Sequence, residues 1–582
     1  MKKLRNIIPM LLFPIIILYL FEWYTHNPFT TMKIRIQLLN IVLFELIMAL
    51  LLFLFGKLKT ALRCQTILFM IIGLANYYVL EFRSAPIMPW DILSIGTAAS
   101  VANNFKYTLS KETVFVLIGF VILILLESKA TLELKKDWRI RTGGVLASFA
   151  LLWGFTAMLH QDSTVARFKL YDKLFTPTVM SKRDGTAVAF LMELKYIVVE
   201  KPDGYNKEDA AALLASYDTN DTESATHTPN IIVIMNEAFS DLSVLGDFET
   251  NEDYMPFLHS LMQEGTPNTI SGHLNVSVLG GNTANTEFEF LTGNTMAFLP
   301  QGSVAYQQYV KSNDYSIATY LKSKGYDTIA MHPYNASGWD RDKVYPLLGF
   351  DTFYSLKDWV NPVKIRKYVS DQSCYDKIIE LYEQKDANTP FFLFNVTMQN
   401  HSSYSEEYDN FHPDITVEGT SSKILPNYLS LIKLSDQALE NLIEYFSQAD
   451  EDTIIVFFGD HQPSNSVAAP VWKINGRSGD SLTEEEEALR YKVPFIIWAN
   501  YDIEAASNVE TSANYLGGHV LRAAGLPLYD YRNYLSQLEG QYPVLTAIRA
   551  ENAQGISTPV KDVKSTLQDY MTLQYYNIFS QK

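Results

Sequence analysis

The side chains best suited to chemistry stand where apolar runs of this chain stop. Thr453-Ile-Ile-Val-Phe-Phe458 leads into Gly459-Asp460-His461-Gln462-Pro463, a carboxylate beside an imidazole. Asn230–Met235 ends in Asn236-Glu237, Thr328–Met331 ends in His332, and Phe391–Thr397 is soon followed by Asn400-His401. Open α/β sheets hold their ligands beyond the carboxyl ends of their strands, so four such endings point to one metal-assisted site. Glu237 and Asp460 offer hard anionic oxygens and His461 a borderline nitrogen, a set that suits Mn²⁺, Mg²⁺ or Zn²⁺ rather than a soft metal. A hydroxyl joins them from Gly280-Gly281-Asn282-Thr283-Ala284-Asn285-Thr286-Glu287, where a glycine pair permits a tight turn into a helix. A helix N-terminus is a favourable place for a hydroxyl to meet phosphate, and a metal-bound Thr283 oxygen would be a nucleophile at neutral pH. Singly, each residue has a bland alternative: Glu237 a strand-end cap, Asp460 an N-cap, His461 a hydrogen-bonded core residue, Thr283 or Thr286 an N-cap.

The elements that must position these residues follow from the same pattern. From Asn230 onward, strand-like runs alternate with helical spacings at Asp253–Glu264, Ser316–Lys324 and Tyr428–Gln448, which predicts an α/β domain with a largely parallel central sheet. We expect that domain over residues 229–532, a helical connector over 161–228 with helices at Ala187–Val199 and Lys207–Tyr217, and a C-terminal tail over 533–582 whose chemistry is not legible.

Residues 1–160 differ in kind. They hold five apolar stretches, Ile7–Phe21, Leu38–Phe55, Thr66–Leu80, Val114–Leu126 and Gly143–Leu159, which predict a five-helix transmembrane domain; the fourth is short for a bilayer. Lys2, Lys3 and Arg5, then Lys57, Lys59 and Arg63, then Lys129, Lys135, Lys136, Arg139 and Arg141 mark cytoplasmic segments by the positive-inside rule and put the C-terminal domain outside the cell. The outward loop Glu81–Glu112, with Trp90 among prolines and aliphatics, either lies in the interface and helps present a lipid or merely closes the bundle. The first 160 residues carry 16 Lys/Arg against 8 Asp/Glu, and the rest 31 against 56. So acidic a domain excludes nucleic acid as a partner. Cys64 and Cys374 are the only cysteines, which implies no disulfide framework and leans toward a bacterium of Gram-positive type.

From Pro229 to Leu526 the chain resembles the sulfatase-like alkaline-phosphatase superfamily, and within it the lipoteichoic acid synthases and phosphoglycerol transferases. Asn236-Glu237, Gly281-Asn282-Thr283, Leu299-Pro300-Gln301-Gly302-Ser303, Trp339-Asp340-Arg341, Asn400-His401 and Gly459-Asp460-His461 carry the resemblance. It implies one divalent ion, commonly manganese, on Glu237, Thr283, Asp460 and His461, with Thr283 as nucleophile. It implies His401 at the reacting group, Trp339 and Arg341 on the glycerol phosphate, and His332 in the pocket. The implied donor is phosphatidylglycerol, and the implied acceptor a lipid-linked glycerol phosphate or a glycolipid. Asn282, Gly338 and Tyr334 depart from the family pattern and bear on the acceptor. A true sulfatase needs a Cys/Ser-x-Pro-x-Arg segment, whereas Cys374 lies in Gln372-Ser-Cys-Tyr-Asp. A phosphoethanolamine transferase, a lipid phosphodiesterase and a membrane-tethered binding protein of degenerate fold are the competing readings.

Overall fold

A computed structural model describes residues 4–83, 86–94, 107–134, 137–171, 177–196, 198–199, 201–218, 227–300, 303–311, 315–479 and 482–580. The expected cytoplasmic lysines Lys2, Lys3, Lys135 and Lys136, the Gln301-Gly302 pair and much of the Glu81–Glu112 loop lie outside them. The chain forms two compact units, Met1–Ile92 with Asn103–Val198, and Val199–Lys582 with Leu93–Ala102.

The first unit has helices at the five expected places: α1 (Leu4–Glu22), α2 (Ile34–Phe55), α3 (Leu58–Arg83), α4 (Lys111–Glu127) and α5 (Trp138–Leu159). Three of them, α2, α3 and α5, are long and apolar enough to cross a membrane. The other two are apolar but weaker: Pro9 and Pro14 fall inside α1, and α4 has 17 residues. Ile71, Phe115, Leu125, Leu146, Phe149 and Trp153 are exposed on these helices, the signature of a surface whose solvent is hydrocarbon. The expected connector divides between the units. Asp162–Phe168, Pro177–Asp184 and Thr186–Glu193 are helices of the first, whereas Lys207–Ala215 belongs to the second.

The second unit is built on an eight-stranded sheet. Its strands are β1 (Asn230–Asn236), β2 (Thr269–Asn275), β3 (Asp327–His332), β4 (Thr352–Ser355), β7 (Phe391–Val396), β8 (Thr453–Gly459), β9 (Lys492–Ala499) and β10 (Ala506–Ser512), and β5 (Lys364–Ile365) and β6 (Tyr368–Val369) form a separate hairpin. The order is β10-β2-β9-β8-β1-β7-β3-β4, and only β9 runs antiparallel to its neighbours. Continuous apolar runs such as Asn230–Met235 are what a strand buried on both faces requires. Their residues alternate between two cores: Ile231, Val233, Met235, Val456 and Phe458 on one face, Ile232, Ile234, Ile455 and Phe457 on the other.

Helices cover both faces. On one lie α6 (Thr283–Thr292), α7 (Arg341–Leu347) and Ala513–Ala523; on the other α8 (Asp371–Gln384) and α9 (Ile424–Ser447). Residue 532, where the domain was expected to close, falls inside the helix Asp530–Glu539, and the following segment is part of the unit. Buried Tyr570 donates to the Gly293 carbonyl (2.6 Å), and Gln574 brackets Thr295, accepting from its N–H (2.7 Å) and donating to its carbonyl (2.9 Å). Arg532 donates to the Asn514 and Phe290 carbonyls at 2.7 and 2.8 Å. The C-terminal end of α6 is thereby tied down by residues nearly three hundred positions away in the chain.

Candidate metal-assisted active site

Strand register assembles the site. Asn236 of β1 pairs with Gly459 of β8, so Glu237 and Asp460 leave adjacent parallel strands side by side. Glycine is needed at 459, because a Cβ there would stand 1.9 Å from the Phe239 carbonyl oxygen. His461 follows, and ligand atoms of Glu237, Asp460 and His461 all lie within 4.8 Å of one another, each residue buried. His461 Nε2 is 3.2 Å from Asp460 Oδ2 and 4.0 Å from Glu237 Oε1.

The hydrogen bonds select which atoms face the centre. Asp460 Oδ1 accepts from the backbone N–H groups of Ala238 (2.7 Å) and His461 (2.8 Å), and His461 Nδ1 donates to the Gln462 carbonyl (2.9 Å). Asp460 Oδ2 and His461 Nε2 are buried without any partner. Two buried lone-pair atoms 3.2 Å apart are costly unless a cation lies against both. Burial pushes both carboxyl groups up, Glu237 well above the usual range with help from the charge of Asp460. This donor set fits a divalent cation.

Thr283 enters from the other side. Gly280 adopts φ +67° and donates its N–H to the Gln462 carbonyl (3.0 Å), which docks the turn onto the Asp460 loop. Asn282, not a threonine, is the N-cap of α6; it sits at φ +65° without capping through its side chain. Thr286 is spent on the Asp460 carbonyl (2.8 Å). The Thr283 hydroxyl is left within reach of both Glu237 and Asp460, and its one proton lowers the pKa of whichever acid it is shared with.

Glu237, Thr283, Asp460 and His461 therefore come together, with Arg341 near enough to Glu237, and His401 to His461, for their charges to interact. His401 is half-buried, its Nδ1 3.0 Å from the Ser402 carbonyl and 3.1 Å from the Tyr368 hydroxyl, and desolvation lowers its pKa to about 4. His332 places Nδ1 3.0 Å from the Val396 carbonyl and is held neutral by burial and then by nearby Arg341. Trp339 is half-buried against the core, and it and Asp340 are consecutive left-handed residues, φ +56° and +59°. Strain of that kind is held only where surrounding structure enforces it. Arg341 is fully committed along one edge: Nε and Nη2 pair with buried Glu287, which also accepts from the Tyr345 hydroxyl (2.7 Å).

The family model Sulfatase matches residues 229–526, more than half of the chain. This chain belongs to the sulfatase family. A protein of Rhizobium meliloti (strain 1021) named for cyclic beta-1,2-glucan modification is 29% identical over 427 residues, 72% of this chain and 65% of that protein. Lipoteichoic acid synthase 1 of Bacillus subtilis (strain 168) is 26% identical over 275 residues, 46% of this chain and 41% of its own length. The chain thus spans less than two thirds of the length of these curated relatives. Among solved structures, the Streptococcus pyogenes phosphoglycerol transferase GacH, in complex with sn-glycerol-1-phosphate, shares the fold with a TM-score of 0.53 at 22% identity, covering 66% of this chain and 96% of that one.

Within this sulfatase-family site, sequence reasoning missed the groups that hold the ligands. Asn236 Oδ1 accepts from Asn400 Nδ2 (2.9 Å), Asn236 Nδ2 donates to Asp371 (2.7 Å), and Ser435 donates to the same carboxylate (2.6 Å), a buried network joining the ends of β1 and β7 to α8 and α9. Arg366, on the β5–β6 turn at φ +56°, donates to the carbonyls of Gln399 (2.6 Å), His401 (2.8 Å) and Ser403 (2.7 Å). Of these groups Asn236 and Asn400 stand in the motifs that carry the resemblance, whereas Asp371, Ser435 and Arg366 had no local signal; Glu287 had one. It lies four residues beyond Thr283, on the same helix face.

Proposed function

We propose that this chain is a membrane-anchored phosphoglycerol transferase, moving glycerol phosphate from phosphatidylglycerol to a glycerol or glycan hydroxyl through Thr283, with its second unit outside the cell. One observation carries the reading: buried Asp460 Oδ2 and His461 Nε2 lack partners beside buried Glu237, with the Thr283 hydroxyl in reach of both acids. Glu237, Asp460, His461 and the Thr283 oxygen would hold one divalent ion, Mn²⁺ before Mg²⁺ or Zn²⁺. Such an ion lowers the proton affinity of a hydroxyl beside it and offsets charge on phosphate oxygens.

In the first transfer the Thr283 oxygen bonds to phosphorus, the bond from phosphorus to the diacylglycerol oxygen breaks, and the threonine proton ends on that oxygen. In the second, an acceptor hydroxyl displaces Thr283 from phosphorus and its proton returns to the threonine. His401 is the proposed proton carrier. Its Nδ1 is engaged by Ser402 and Tyr368, so exchange falls to Nε2, and a neutral ring with a pKa of about 4 takes a proton before it gives one. Trp339, His332 and the Nη1 side of Arg341 are assigned to the glycerol phosphate, with Glu287 fixing the guanidinium plane. The relative named for glucan modification supports a glycan hydroxyl among the acceptors.

The test uses full-length protein with labelled phosphatidylglycerol and Mn²⁺. Diacylglycerol should be released by the unaltered enzyme and not by Thr283→Ala. Intact phosphatidylglycerol after incubation with the unaltered enzyme would remove the donor assignment.

A further inference from the structure

Among described residues from Val199 onward, the two most exposed large hydrophobics stand three positions apart on one loop: Val360 is 88% exposed and Val363 66%. Lys357 and Lys364, both exposed, flank them, and the one acid between, Asp358, is spent on capping Ser355. The loop is braced. The Trp359 indole N–H donates to the Ser373 carbonyl (3.3 Å), Val363 N–H to Ser373 Oγ (3.0 Å), Ser370 N–H to the Val363 carbonyl (2.9 Å), and Asn410 to the Lys364 carbonyl (2.9 Å). It runs directly into β5, whose Ile365 pairs with Tyr368 of β6, and the Tyr368 hydroxyl is 3.1 Å from His401 Nδ1. The apolar tip thus leads into the hairpin whose Tyr368 hydroxyl touches the candidate proton carrier.

A single exposed valine needs no explanation, but a braced pair between lysines, beside the site, does. Residues 161–582 carry a net charge of −25, which repels them from an anionic bilayer. At this loop the sign is locally reversed: lysines meet lipid phosphates, and valine side chains leave water for the boundary between headgroups and acyl chains. We infer that loop 357–364 docks on an anionic phospholipid bilayer and seats the candidate site at the headgroups. This rests on the reading that the donor is a phospholipid, because the scissile bond of such a donor lies at headgroup level.

The experiment uses the full chain in liposomes of phosphatidylglycerol and phosphatidylcholine. A fluorophore on Val363→Cys, in a Cys64→Ser background, should be quenched by lipids carrying a nitroxide near the headgroup, and a fluorophore on Ile556→Cys should not. Val360→Asp with Val363→Asp should lower transfer from long-chain phosphatidylglycerol in the bilayer by ~10-fold, and leave turnover of a dissolved short-chain phosphatidylglycerol unchanged. No quenching at 363, quenching that follows protein concentration and so reports a second copy, or equal loss with both donors would each overturn docking. If the unaltered enzyme turns over neither donor, the transferase reading falls, and quenching still decides the docking.

Discussion

Glu237, Asp460 and His461 have a counterpart, also two acids and a histidine, in Asp241, Asp253 and His259. In the second cluster His259 lies 2.8 Å from Asp253 and 3.5 Å from Asp241, and Asp241 also accepts from Ser243 N–H (2.9 Å), Ser243 Oγ (2.7 Å) and the Tyr254 hydroxyl. Its hydrogen bond to Asp241 lifts His259 to about 9, against the effect of burial. Burial pushes Asp241 up, but its donors outweigh that and hold it at about 2. At the candidate site burial wins, both acids are raised, and Asp460 Oδ2 and His461 Nε2 have no donor. Two acids and a histidine make an ion pair where donors are supplied and a ligand set where they are withheld. Residue types alone do not separate the two.

The comparison breaks most sharply at one acid in each cluster. Asp460→Asn keeps the oxygen that accepts from Ala238 and His461, and should lower transfer by ~10³-fold or more. The same change should raise the melting temperature of metal-free protein, since it removes a buried charge beside Glu237. Asp241→Asn should do the reverse, keeping transfer within about twofold and lowering stability by roughly 1–3 kcal/mol through stranded donors. Turnover and calorimetry in chelator on both variants check this; a fall in metal-free stability for Asp460→Asn would put its carboxylate among ordinary structural acids.

The next effect concerns how the site is held. Arg366 fixes three carbonyls around His401, so Arg366→Ala should lower kcat by roughly 10–100-fold with little change in KM. Arg366→Lys, which cannot reach all three carbonyls, should recover only part of it. A matching rise in KM would instead mean that the loop, and not the histidine, had moved.

Much of this was legible before any coordinates. Buried parallel strands announce themselves as apolar runs, and the residues just past them, Glu237 and Asp460, fall side by side because neighbouring parallel strands end together. What stayed hidden is nonlocal. Strand β9 breaks its apolar run with Pro494, and the Asn236–Asp371–Ser435–Asn400 network joins four elements through residues that are unremarkable singly. The tail seemed without chemistry because Tyr570 and Gln574 act on the backbone of α6, which no local pattern reveals. Of the five apolar segments, apolar run length located all and marked the fourth as short, but it did not mark the first, whose helix is interrupted by Pro9 and Pro14, as falling below spanning length.

Metal should then separate the clusters by stability. A divalent cation at about 100 times its Kd should stabilise the unaltered protein by about 2.7 kcal/mol and leave Asp460→Asn unmoved. A shift of equal size in both proteins would place the binding elsewhere, for which the acids around His259 are the obvious control.

The smallest effect is the most discriminating in sign. Glu237 and Asp460 have folded-state pKa values raised above those of the unfolded chain, so their contribution is present below the unfolded carboxylate range and is lost as pH rises. Metal-free protein should therefore gain stability as pH falls from 8 toward 5, and Asp460→Asn should flatten that gain. His259 is raised as well, so its contribution is complete below the unfolded histidine pKa and lost as pH climbs through about 9. Asp241 is depressed, so its contribution persists until pH falls through about 2. Between the unfolded carboxylate and histidine values the second cluster is constant while Glu237 and Asp460 still change, together with other raised acids such as Glu289 (about 7) and Asp436 (about 6), so the part of the slope that Asp460→Asn removes is the candidate site's own. His259→Gln should cost roughly 1 kcal/mol at pH 6, and that difference should shrink above pH 9. A pH 5–6 slope that disappears in His259→Gln and survives in Asp460→Asn would reverse the assignment of the two clusters.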